Sequence, residues 1–352
     1  MYKSTEETTE KPRYPKINSW CGWDPLEEVW VGRHHVPEYF DSIKNKKIKD
    51  PLKRIAEETE EDYQSLIKIL KDFGVASILR PNLNTRSRFG DEKPNHATNP
   101  RDHHFVYGNT IFRFEDSSYY NSLYQNYTNS GEKVFDPYKQ TTATPITDKL
   151  PAAQCVRFGD AILVDALSPD HMKWFRQSFK DTKIFVSAIG GHSDGVFCPV
   201  NHGLIVTTYE YKWVFKNTLF KNWDFVYLDN NSWEQTKPIK EKSVFDMLRK
   251  TQNKWYVEGE EHNEEFINFT NTYLKEWVGY CAESVFDVNM LVLDQNNVIV
   301  NSYNKKIFDA FKKHNIEPTI CNLRHRWFWD GGLHCNTLDI RRKGKKERYL
   351  NF

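Results

Sequence analysis

The chain has 352 residues and is electrically balanced, with 49 lysines and arginines against 48 aspartates and glutamates. No whole-molecule field therefore argues for nucleic acid or an anionic membrane, and an aromatic content of 15% excludes a disordered chain. The length supports a large hydrophobic core, in one big domain or two ordinary ones.

Residues 1–18 are charged and proline-bearing, which predicts a loose N-terminal arm before a domain spanning 19–352. Asp24-Pro25 turns into a first strand ending at Val31-Gly32. From Asp50-Pro51 to Phe73 the apolar positions fall at helical spacing, with Pro51 in the first turn and Gly74 as the C-cap. A strand over Val75–Leu79 follows. After a polar loop comes Asn99-Pro100-Arg101-Asp102-His103-His104, and then a hairpin over Phe105–Phe112. A helix is expected over Tyr119–Asn129, a buried strand over Ala161–Val164, a helix over Pro169–Phe179 and a strand over Lys183–Val186. The turn Gly190-Gly191-His192-Ser193-Asp194-Gly195 precedes a strand over Gly203–Thr207. Strand, glycine-polar turn, strand and helix thus recur, a pattern that hints at repeated α/β units.

Residues 210–275 differ: they are rich in Trp, Lys, Asn and Glu and hold one good strand, Phe225–Leu228. Order returns with a hairpin over Asn289–Val300, a helix over Lys305–His314 and a strand over Thr319–Cys321. The last feature is Asp330-Gly331-Gly332-Leu333-His334-Cys335-Asn336-Thr337, running into an apolar strand pattern from Cys335 to Ile340. Two glycines permit a tight turn and leave room for a close approach to the cysteine, whose thiol is expected at the rim of a sheet.

The six cysteines, at 21, 155, 198, 281, 321 and 335, form no CxxC pair. They read as thiols in a reducing compartment rather than as a zinc site or disulfide framework. No apolar run approaches the ~20 residues of a membrane span, and a cytoplasmic location is expected.

Three polar turns interrupt apolar strands: Arg101-Asp102, His192-Ser193-Asp194 and Gly332-Leu333-His334-Cys335. They offer a thiol, an imidazole and two carboxylates, the set that chemistry on a guanidinium requires. That cation is planar and always charged, so paired carboxylates must hold it. A thiolate can attack its carbon while a histidine protonates the leaving amine.

These turns, together with Trp23-Asp24-Pro25-Leu26-Glu27-Glu28-Val29-Trp30-Val31-Gly32 and Gly331–Arg342, resemble the amidinotransferases, above all the glycine amidinotransferase type. The resemblance covers roughly 19–112, 150–206 and 287–345. It implies a single-domain α/β fold of the pentein kind, a five-bladed propeller of ββαβ units around a polar channel. It also implies Cys335 as nucleophile, His192 as general acid/base, and Asp102 and Asp194 as the guanidinium-binding carboxylates, with no cofactor or metal. The implied partners are a small guanidino donor and an amine acceptor, without nucleic acid or membrane; a homodimer is compatible with it.

The chain departs from that pattern in places. Pro151 stands where the family has an acid, before Ala152-Ala153, with Asp148 three residues upstream. The family's serine pair falls at Ala282-Glu283, with Ser284 one place on, and Lys212 and Lys216 are the candidates for holding a substrate carboxylate. Trp327-Phe328-Trp329 reads either as packing or as a lid over a flat substrate. Two further functions stay open: a guanidine hydrolase of the deiminase kind using the same four residues, and a pentein that has lost catalysis and serves as a binding protein.

Overall fold

A computed structural model of the chain describes residues 16–83, 86–91, 97–114, 118–136, 152–165, 168–187, 192–208, 219–228, 257–274 and 286–351. Its strands form five three-stranded sheets of one design. In each, a central strand lies antiparallel to one neighbour and parallel to the other. One sheet is built from β3 (His104–Tyr107), β4 (Thr110–Arg113) and β5 (Lys133–Phe135), and the next from β6 (Cys155–Phe158), β7 (Ala161–Asp165) and β8 (Lys183–Ser187). Another joins β9 (Phe197–Asn201), β10 (Leu204–Thr207) and β11 (Asp224–Tyr227); a fourth joins β12 (Leu291–Val292), β13 (Asn297–Val300) and β14 (Glu317–Ile320).

The remaining sheet brings the two ends of the fold together. Its centre is β1 (Leu26–Val31), parallel to β2 (Ser77–Leu79) and antiparallel to β15 (Thr337–Arg342). Parallel pairing needs a crossover, and helices supply it in four sheets. They are α1 (Lys46–Phe73), α3 (Asn121–Thr128), α4 (Pro169–Ser178) and α6 (Lys305–Lys313). This fivefold repetition bears out the repeated α/β units hinted at by the recurring strand–turn–strand–helix pattern, and it is the pentein architecture that the resemblance implied.

Local chemistry explains the longest helix. Asn45 caps α1 by accepting from the Lys47 amide at 3.0 Å, a contact worth about 1 kcal/mol. Leu52, Ile55, Tyr63, Leu66, Ile67 and Leu70 make its buried stripe, and Gly74 ends it at φ 95°, where a side chain would be strained. The helix begins earlier than the sequence predicts, so Pro51 lies in its second turn, with its ring buried.

Other expectations shift as well. Strand β15 begins at Thr337, so Cys335 belongs to the turn before it. The short strands β5, β6 and β9 were not anticipated. Trp327, Phe328 and Trp329 lie in the short helix Arg326–Trp329 and are all nearly inaccessible, which makes them packing and not a lid. Phe328 and Trp329 pack with Leu52 and Ile55 of α1 and with Phe266 of α5 (Glu264–Tyr273). Of the tryptophan-rich segment, β11 and α5 are therefore built into the fold. The arm expected over residues 1–18 is described only from residue 16. There Ile17 is buried, and Asn18 exchanges backbone hydrogen bonds with Ile340 and Arg342. Among the described residues no helix is long and apolar enough to cross a membrane.

Candidate active site

The turn that carries Cys335 is held from three sides. Asn289, just before β12, accepts hydrogen bonds from the backbone amides of His334 (2.8 Å) and Cys335 (3.2 Å), and its Nδ2 donates to Cys335 Sγ at 2.8 Å. Asn99 accepts from Asn336 Nδ2 at 2.6 Å, and Tyr63 of α1 donates to Asn336 Oδ1 at 2.9 Å. Both glycines of the motif are needed for this approach. A Cβ on Gly331 would stand 2.4 Å from Asn99 Oδ1, and one on Gly332 2.8 Å from Asn289 Oδ1. The left-handed residue of the turn is Asp330, at φ 50°, rather than either glycine.

Arg101 fastens the turn to the short helix α2 (Pro100–His103). Its Nε donates to the carbonyls of His334 (3.0 Å) and Thr337 (3.1 Å), and its Nη2 to Asp339 Oδ1 at 2.7 Å. Arg157 and Arg342 share the same carboxylate. Burial alone would raise the Asp339 carboxyl; Arg157, Arg342 and Arg101 outweigh it and hold the group well below the usual range. Paired in this way, a buried ion is tolerable; stripped of partners it costs several kcal/mol. The network clamps β15 to α2 and β6, and so fixes the thiol's surroundings from below.

Asp194 lies in the turn Ser193–Gly195 and is 5% exposed. Its Oδ2 receives the Cys335 thiol at 3.3 Å and His334 Nδ1 at 2.9 Å. The other oxygen, Oδ1, is buried with no hydrogen-bond partner among the described residues. Burial pushes this carboxyl up, but the His334 hydrogen bond and the cationic Arg101 prevail, so it stays ionised below the usual carboxylate range. His334 is driven the other way, down to about 4, by burial and by Arg101. At neutral pH it is an uncharged ring donating Nδ1–H to Asp194.

His192 and Asp102 form a second pair, with Nδ1 3.9 Å from Oδ1, and the histidine side chain is 41% exposed. Chain connectivity and charge link the two pairs. His192 is two residues from Asp194 and close enough to act on its charge, and Asp102 directly follows Arg101. The turn Ala152–Gln154 packs against both, Ser193 Oγ donating to the Gln154 carbonyl at 3.1 Å. Beneath them lies a cavity of about 40 Å³, lined by Asp194, His334 and Arg101 and by residues from all five sheets. It has room for a water or two.

All four residues singled out in the sequence, Cys335, His192, Asp102 and Asp194, thus lie in three adjoining turns. Cys335 is fully buried rather than exposed at a sheet rim. Pro151, Asp148, Ala282, Glu283, Ser284, Lys212 and Lys216 fall outside the described residues. The sequence reading missed Asn289 and His334. His334 stands in the Gly331–Thr337 motif beside Cys335, and Asn289 is a polar residue at the head of an apolar run; each is a signal in plain view.

The solved structures that resemble this one share its fold. SxtG, an amidinotransferase from Microseira wollei in the saxitoxin biosynthetic pathway, superposes with a TM-score of 0.66 at 20% identity, covering 95% of this chain and 99% of that one. A dimethylarginine dimethylaminohydrolase gives 0.53 at 10% identity, with 89% and 99% covered. The chain thus shares the fold of an amidinotransferase and of a dimethylarginine dimethylaminohydrolase. Its sequence relatives agree. Inosamine-phosphate amidinotransferase 1 of Streptomyces griseus is 24% identical over 92% of this chain and 96% of its own length. The mitochondrial glycine amidinotransferase of Gallus gallus is 23% identical over 97% and 86%. L-arginine:L-lysine amidinotransferase of Pseudomonas savastanoi pv. phaseolicola is 37% identical over 71 residues, a fifth of each chain. No family profile matches the sequence.

Proposed function

We propose that the protein transfers an amidino group from a guanidino donor to an amine through a covalent intermediate on Cys335. One observation carries the reading. The Cys335 thiol and a buried carboxylate oxygen with no partner among the described residues meet on the same side chain, Asp194. A carboxylate oxygen withdrawn from water without a donor is costly, and the N–H edge of a guanidinium would satisfy it with a charge-assisted bond. That cation would also stand beside the sulfur and favour its thiolate, which the bare carboxylate opposes.

In the first half-reaction Cys335 gives its thiol proton to His192, and its Sγ attacks the guanidinium carbon. The bond from that carbon to the leaving amine breaks, and His192 gives the departing nitrogen a proton. An acceptor amine then attacks the S-amidino carbon, loses a proton to His192 and displaces the thiolate. Asp102 orients His192 and, with Asp194, offsets the positive charge. Asn289 keeps the sulfur in line and stabilises its negative charge with a donated hydrogen bond. Donor and acceptor are small molecules, and the acceptor differs from the family's ordinary one, as the loss of the acid at Pro151 suggests.

The test is incubation with arginine and a panel of amines. Ornithine with a new guanidino product, and an amidino mass on Cys335 that Cys335→Ala removes, support transfer. Citrulline in place of ornithine would make the protein a hydrolase. Neither product, with no adduct from any guanidino donor, would leave a binding protein.

A further inference from the structure

A second cavity, of about 330 Å³, opens between the loop after β1 and the outer face of α1, with Arg80 just after β2 at its side. Its size is that of a small-ligand site. Val36, Pro37, Tyr39, Ala56 and Leu83 give it apolar walls, and Arg33 forms part of its lining.

The charges around this cavity are unevenly matched. Arg80 is fully engaged, donating to both oxygens of Glu60 at 2.7 and 3.0 Å, to the Gly32 carbonyl at 3.1 Å, and lying over the Tyr63 ring. Of the other lining carboxylates, Glu61 accepts from Arg324 at 2.7 Å, and Glu57 is exposed. Arg33 is half-buried, and its side chain makes no hydrogen bond or ion pair among the described residues. Burial and the neighbouring Arg80 charge both work against this cation, drawing it down to about 10, while Glu60 compensates only in part. It remains charged at neutral pH and lines a chamber whose surface is mostly apolar. A half-buried guanidinium with no acceptor among the described residues leaves charge-assisted bonds unmade, and such a fork matches a carboxylate in geometry and charge.

We propose that this cavity is a binding site for a small organic carboxylate with an apolar body, its carboxylate received by Arg33 and its body packed against Tyr39, Val36 and Leu83. The apolar walls favour such a molecule over inorganic phosphate, which would leave them uncovered. The site is separate from the cavity beneath Cys335 and does not depend on amidino transfer.

Calorimetric titration of the full chain with acetate, benzoate, phenylacetate and inorganic phosphate at constant ionic strength tests this. Saturable one-to-one binding of benzoate or phenylacetate, tighter than that of acetate or phosphate, is expected. Arg33→Met should weaken it at least ~10-fold, as removal of a charge-assisted bidentate contact does, and Arg33→Gln should do the same. Both variants remove a cation without a partner, so their melting temperatures should match or exceed the parent's. Cys335→Ala should bind as the parent does. No saturable binding by any of the four anions overturns the proposal. So does affinity unchanged in both Arg33 variants, affinity lost in Cys335→Ala, or phosphate binding as tightly as the aromatic acids.

Discussion

Asn289 holds Cys335 by both ends of the residue: its carbonyl oxygen takes the Cys335 amide at 3.2 Å while its Nδ2 gives a hydrogen bond to the sulfur at 2.8 Å. One side chain thereby sets the position of Cys335 and supplies a donor to its sulfur. Asn289→Asp keeps the acceptor and replaces the donor with a carboxylate. Alkylation of Cys335 by iodoacetamide should slow markedly at a given pH. Asn289→Ala should lower stability by about 1–3 kcal/mol, the range for leaving buried donors without partners, as urea unfolding would measure. An Asn289→Asp protein alkylated at the parent's rate would mean the sulfur draws nothing from this residue.

His192 carries the proton traffic in the proposed cycle. Transfer should rise with pH through the range where histidines titrate, about 6.5 for a free imidazole, because the acceptor amine must give up its proton to a neutral ring. His192→Asn should reduce turnover by about 10²–10⁴-fold, the usual share of a general acid/base, while S-amidino formation from an activated donor is reduced less. A rate within a few-fold of the parent's would assign proton transfer elsewhere.

His334 gives the fold an acid weakness. Its imidazole is held near 4 in the folded chain against 6.5 for the unfolded one. Between those values the unfolded chain binds the extra proton, so stability is complete above about pH 6.5 and falls as pH drops towards 4. The upper limit is about 3 kcal/mol, reduced because 27% of the side chain still meets solvent. His334→Asn keeps an N–H for Asp194 and cannot titrate. Its unfolding free energy should be flatter over this window in denaturant titrations at stepped pH; parallel curves would remove His334 as the cause.

Pro151 directly precedes the turn Ala152–Gln154, which packs against both carboxylate-bearing turns. An acid introduced there would add a third negative charge for a guanidinium. Pro151→Asp should therefore raise turnover with arginine, measured as ornithine released, relative to the parent on the same amine. If the parent already processes arginine as fast as the variant, the missing acid has been replaced from another part of the chain.

The sequence was most informative where structure is local. The α1 stripe, its glycine stop and most hairpins could be read from spacing, because caps and periodicity act within a few residues. The strands β5, β6 and β9 escaped because three to five residues carry too little alternation to be distinguished from loop. Cys335, His192, Asp102 and Asp194 could be singled out through their motifs, but what holds them could not. Asn289 is 46 positions from Cys335, and Arg157 reaches Asp339 across 182. Such partners are chosen by how the sheets come together, which no window of sequence contains.

Strand β15 pairs with β1 from Leu26↔Arg342 to Val31↔Thr337, and the turn bearing Cys335 is the segment immediately before it. Contacts between residues so far apart in the chain form late and slowly, since the entropy of closing the intervening loop must be met first. On a growing chain β1 therefore waits with an open edge until all the other strands have been synthesised. The thiol meets Asp194 and Asn289 only when that last strand docks. Protection of Cys335 is then a reporter of completed folding: a loss of labelling in step with the final refolding phase would time the docking of that strand.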